Sequence, residues 1–81
     1  MRIISEISHP QCKITVFSWN NKYLIKLERG LIEQTYKVPE EEIMNDEDIK
    51  KLVIDKLLRT ALPRMEEMEL DLMKVIDELY L

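Results

Sequence analysis

The chain has 81 residues, 46% of them apolar and 35% charged, with one Gly, three Pro and a single Cys. That composition describes one small folded domain (1–81) and excludes a disordered or low-complexity segment and an internal disulfide. No apolar run is long enough to span a bilayer, and the opening Met1-Arg2-Ile3-Ile4-Ser5-Glu6 lacks the apolar stretch of a secretion signal, so the expected compartment is the cytoplasm.

The net charge of -4 is unevenly spread. Residues 1–38 hold six Lys/Arg against three acids, leaving +3, whereas residues 39–81 hold six against thirteen, leaving -7. The overall field opposes nonspecific binding to nucleic acid, while the first half is locally basic.

A first strand is expected over Arg2–Ile7. Closed over Ser8-His9-Pro10-Gln11, it sets Ile7 opposite Cys12, Glu6 opposite Lys13 and Ile3 opposite Val16, with Pro10 fixing φ in the turn. Folding the next segment about Asn20-Asn21 pairs Trp19 with Lys22, Phe17 with Leu24, Val16 with Ile25, Ile14 with Leu27 and Lys13 with Glu28. Apolar residues and opposite charges then meet across the strands, as cross-strand energetics favour. A further fold about Arg29-Gly30 pairs Leu27 with Ile32, Lys26 with Glu33 and Tyr23 with Tyr36. Residues 1–38 are therefore expected to form a four-stranded antiparallel meander.

Alternation divides that sheet into two faces. One carries Ile3, Ile7, Cys12, Ile14, Val16, Tyr23, Ile25, Leu27, Ile32, Tyr36 and Val38 and requires cover. The other is charged, interrupted by Ile4, Phe17, Trp19, Leu24 and Leu31.

Pro39 ends the sheet, and residues 39–45, which include Glu40-Glu41-Glu42, read as an acidic linker. Asn45 or Asp46 is a suitable N-cap, followed by acids that complement the helix dipole. Residues 46–81 are then helical, with Ile49, Leu52, Val53, Leu57 and Ala61 recurring on one face. Pro63 admits either a break, giving two helices, or a bend in one. Leu58, Ala61, Met65, Met68, Leu72, Val75 and Leu79 keep heptad spacing across it, as a dimer seam would.

No catalytic or cofactor motif emerges. His9, the only histidine, has no second ligand at metal-binding spacing, Cys12 falls on the buried face, and Ser18 has no base partner. The acidic groups Glu40-Glu41-Glu42 and Asn45-Asp46-Glu47-Asp48 lack the glycine and spacing of a calcium loop. Met44, Met65, Met68 and Met73 read as core or seam fillers. The surface of interest is the patch Ile4, Phe17, Trp19, Leu24 and Leu31 on the charged face, where apolar groups suit an interaction.

The stretch Cys12–Val38, with Phe17-Ser18-Trp19-Asn20-Asn21-Lys22-Tyr23-Leu24-Ile25-Lys26-Leu27-Glu28 at its centre, resembles a group of short bacterial proteins that carry no assigned function. The resemblance covers the hairpins well and the helical part loosely, and implies a small stand-alone cytoplasmic protein.

The combined expectation is an α+β domain in which a helical segment covers one face of a β-meander. It is a non-enzymatic, cofactor-free interaction module that forms a homodimer or binds another protein, through the heptad seam or the aromatic patch. The alternative is single-stranded nucleic acid on the open face, with Phe17 and Trp19 stacking bases while Lys13, Lys22, Lys26, Lys37 and Arg2 meet phosphates.

Overall fold

A computed structural model describes residues 1–40 and 45–80. Four strands, β1 (Arg2–His9), β2 (Cys12–Trp19), β3 (Lys22–Arg29) and β4 (Ile32–Pro39), form one antiparallel sheet in the order β1-β2-β3-β4. The expected acidic linker falls largely on residues 41–44, outside the described residues. A single helical stretch of 34 residues follows. It comprises α1 (Asp46–Leu52), a π-helical turn over Val53–Leu57 and α2 (Leu58–Leu79).

The central hairpin has the expected register from Trp19↔Lys22 to Lys13↔Glu28. Asn20 and Asn21 take φ of +53 and +61, the left-handed pair that matches the twist of the strands it joins. The outer pairings differ from expectation by two residues each. The first turn is Pro10-Gln11 alone, so Ile7 faces Ile14, Glu6 faces Thr15, and His9 extends the strand opposite Cys12. The third is Gly30-Leu31, with Gly30 at φ +57, so Arg29 faces Ile32, Ile25 faces Tyr36 and Tyr23 faces Val38. A two-residue slip preserves the face of every side chain, because the period of a strand is two.

One irregularity does change faces. The register between β1 and β2 shifts between Ile3 and Ser5, leaving Ile4 as the extra residue of a bulge. Ile3 therefore faces Phe17 and is 56% exposed, while Ile4 packs against the core. This reverses the expected assignments of the two isoleucines.

The helix begins as its sequence prescribes. The Asn45 side chain accepts from the Asp48 amide at 2.9 Å, and the Asp48 carboxylate accepts from the Asn45 amide at 3.3 Å. That reciprocal pair satisfies two donors that a helix start leaves without partners. The helix then runs through Pro63 without interruption, so no helical hairpin forms. An interior proline costs about 3 kcal/mol. Fully burying one large apolar side chain is worth roughly 1.5–3 kcal/mol, and Leu58 and Met65, one on each side of the proline, are both buried. Burial on both sides outweighs the lost hydrogen bond.

The π-helical turn solves a phasing problem. At about 100° per residue, an unbroken α-helix would turn Leu58 about 140° away from Val53. Instead the Leu58 amide donates to the Val53 carbonyl five residues back, a wider turn that brings the two side chains to the same side. Ile49, Val53, Leu58, Ala61 and Met65, all at most 4% exposed, thereby join Ile14, Val16, Tyr23, Ile25 and Leu27 in one core cluster.

The turn generates a test by single-residue deletion. Removing exposed Asp55 should convert the wide turn to an ordinary α-turn, keep the stripe in phase and leave the urea midpoint near the parent's. Removing equally exposed Arg64 should rotate Met65 and Leu72 away from the core. It should cost several kcal/mol, about 2–5 for each such side chain lost, and unfold the domain. Similar losses from both deletions would refute the phasing role.

Candidate interaction surface

With the core on one side of the sheet, the register sets the composition of the other in rows. Ile3, Phe17, Leu24 and Lys37 lie side by side across the four strands, with Trp19 and Lys22 in the next row toward the Asn20-Asn21 turn. Phe17 and Leu24 are half-buried among their neighbours, and Trp19 is 45% exposed. Glu6, Thr15, Lys26 and Thr35 form a third row, and Lys13, Glu28 and Glu33 a fourth.

Charge on this face is sorted. Lys26 lies 3.6 Å from Glu33 and 4.0 Å from Glu28, so its ammonium is engaged by acids of its own sheet. Lys13 faces Glu28. The acids Glu6, Glu28 and Glu33 all stand in the third and fourth rows, whereas Lys22 and Lys37 border the apolar row. The result is an aromatic and aliphatic strip with a cationic edge.

The structure regroups the residues expected to form a patch. Phe17, Trp19 and Leu24 are together, joined by Ile3 in place of Ile4. Leu31 is 81% exposed but sits in the Gly30-Leu31 turn at the opposite end of the sheet, where Leu72, Met73 and Ile76 approach it. The heptad series also divides. Leu58, Ala61 and Met65 are buried in the chain's own core, and Leu72 packs against it. Met68 is 36% exposed and accepts from the Gln34 amide at 3.2 Å, while Val75 and Leu79 are 51% and 75% exposed. Leu70 and Tyr80, absent from the sequence-derived surface, and Met73, read from the sequence as a core or seam filler, are exposed toward the same end of the helix. Their signal was the crowding of apolar residues near the end of a helix too long for its sheet.

The remaining chemical groups are accounted for by packing. The His9 imidazole accepts the Gln11 amide through Nδ1 at 3.1 Å, within the turn it borders. Burial pushes the Cys12 thiol upward in pKa, with Arg29 opposing more weakly, which disfavours the reactive thiolate. Arg29 Nε lies 2.7 Å from Oε1 of Glu69 and ties β3 to α2 near the sheet's end. That oxygen is sealed from solvent and receives no aligned hydrogen bond, so the contact is ionic. With both side chains about a third exposed, its worth is that of a partly screened surface pair, about 0.2–1 kcal/mol. No cluster of three or more metal-ligating side chains occurs among the described residues, and no described helix is long and apolar enough to cross a membrane. A cavity of about 280 Å³ between β4 and the π-helical turn is lined by Tyr36, Val38, Val53 and Leu57, with Lys56 its one charged group. It holds no nucleophile with a base.

No family model, curated protein or solved structure matches the chain.

At the other end of the core, Tyr23 is 1% exposed and its hydroxyl donates to Asp46 at 3.4 Å. Burial raises its pKa above the usual phenol value, and the nearby charges of Glu40 and Asp46 and the Asp46 hydrogen bond add to the rise, with Arg2 opposing. The folded state thus holds this proton more tightly than the unfolded chain. The stabilisation is fully present below about pH 10 and is lost as pH climbs through the raised value. In an alkaline absorbance titration, one tyrosine should ionise late and together with unfolding, and Tyr23→Phe should abolish that component. Ionisation of all the tyrosines in one step near pH 10 would contradict this.

Proposed function

We propose that the protein is a non-enzymatic, cytoplasmic interaction module that associates with itself through the open face of its sheet. The observation that carries this reading is the strip of exposed Ile3 and Trp19 with half-buried Phe17 and Leu24, set on the face opposite the hydrophobic core. Apolar and aromatic side chains grouped within a polar surround are what interaction surfaces use, since their burial drives association while the rim sets partner choice. Self-association also suits the energetics. A core this small leaves only about 3–5 kcal/mol of net stability, and a partner that binds only the folded state adds to it by mass action. The buried Cys12 thiol is compatible with a reducing compartment.

Light scattering behind a sizing column is expected to give a mass that rises from 9.7 kDa with concentration. Trp19 emission should shift to the blue over the same range as its indole leaves water. Leu24→Lys, which places a charge in the strip, should hold the protein at monomer mass without unfolding it. A monomer at every concentration up to the millimolar range would end this reading.

A second reading is supported by Lys22 and Lys37, which border the aromatic strip without acids in their rows. Single-stranded nucleic acid would stack on Phe17 and Trp19 and present phosphates to those lysines. Titrating oligonucleotides at low salt tests it through Trp19. Unchanged emission at micromolar protein would eliminate it, because a base stacked on that indole alters its fluorescence.

A further inference from the structure

The strip has a candidate occupant within the same sequence. We propose that it receives the C-terminal end of α2 from a second copy of the chain, in a head-to-tail contact. This rests on the self-association reading above and names its partner surface.

The first support is geometric. At about 100° per residue, Leu58, Ala61, Met65, Leu72, Ile76 and Leu79 fall within about 60° of one another on one stripe. Its first part is buried, with Ala61 and Met65 at 0%. Leu72 and Ile76 are half-buried near the Gly30-Leu31 turn, and beyond them Leu79 is 75% exposed. Val75, on the edge of the stripe, is 51% exposed. The apolar stripe that packs on the sheet therefore continues to Leu79, which none of the described residues covers.

The second support is charge, and it selects among partners. Residues 66–80 carry Glu66, Glu67, Glu69, Asp71, Asp77 and Glu78 against Lys74 alone. Two such ends laid side by side would bring like charges together, which costs affinity. The open strip offers the opposite sign at one margin, where Lys22 and Lys37 stand, while Glu6 lies in the adjacent row on β1 and Glu28 and Glu33 one row further, beside Lys26 and Lys13. An apolar helix end rimmed by carboxylates thus meets an apolar strip with ammonium groups at one margin. The segregation of charge between the two halves of the chain becomes complementarity between two copies of it.

The test reverses each side separately. One variant carries Lys22→Glu with Lys37→Glu, and the other carries Asp77→Lys with Glu78→Lys; all four residues are exposed, and thermal unfolding of each variant checks that the fold is kept. Each variant alone should self-associate at least about tenfold more weakly, the loss typical of reversing close interfacial charges. An equimolar mixture should recover the wild-type mass, because each then offers the sign the other lacks. Association of the wild type should also weaken as salt rises. If the wild type associates and the helix variant associates equally well or better, the helix end is not the occupant, though self-association through the strip stands. If the wild type is monomeric throughout, both readings fall together.

Discussion

A single helix of 34 residues must keep one apolar stripe turned toward a sheet whose strands are 8 residues long. That constraint organises the molecule. An α-helix spends about 100° per residue, so Ile49 and Val53 cannot share a face with Leu58 unless the chain inserts a wider turn between them. The π-helical turn at Val53–Leu57 supplies it, and Ala61, Met65 and Leu72 then follow in phase across Pro63. Had the stripe drifted instead, the sheet residues Ile14, Val16, Ile25 and Leu27 would face water, at a cost far above that of one proline in a helix.

Length mismatch follows from the same arrangement. Strands of 8 residues extend roughly 27 Å, whereas 34 helical residues extend about 51 Å, close to the 52 Å long axis of the molecule. Arg29 and Glu69 fasten the helix near the last point of support. Leu72 and Ile76 still approach the Gly30-Leu31 turn beyond it, and past them exposed Leu79 continues the apolar spacing among acids.

The sequence was most legible where local chemistry left one solution. Asn20-Asn21 can hold two successive left-handed residues, and this alone sets the pairing of β2 with β3. Around Pro10 a longer turn, and around Gly30 a turn displaced by one residue, place similar residues opposite one another, so the register slipped by two without disturbing which face was apolar. The bulge at Ile4 was not readable, because adjacent isoleucines satisfy either face equally well. The π-helical turn was hidden for a related reason. Leu57 and Leu58 are both leucine, and an α-helical reading could use the first as readily as the second. The heptad spacing from Leu58 to Leu79 was real, but its first part serves the chain's own sheet.

The open face itself shows why its apolar row differs from the rest. Thr15 lies on that face yet is only 5% exposed, flanked directly by Glu6 and Lys26. Long charged side chains cover their neighbours with their methylene stems while keeping the charge in water. The polar rows can therefore shield themselves. Ile3 and Trp19 lie where the bordering lysines meet no acid of their own rows, and both remain about half exposed. A surface that covers its threonine leaves its tryptophan open, and that is the place where the contact proposed for the acidic, apolar end of α2 would bury it.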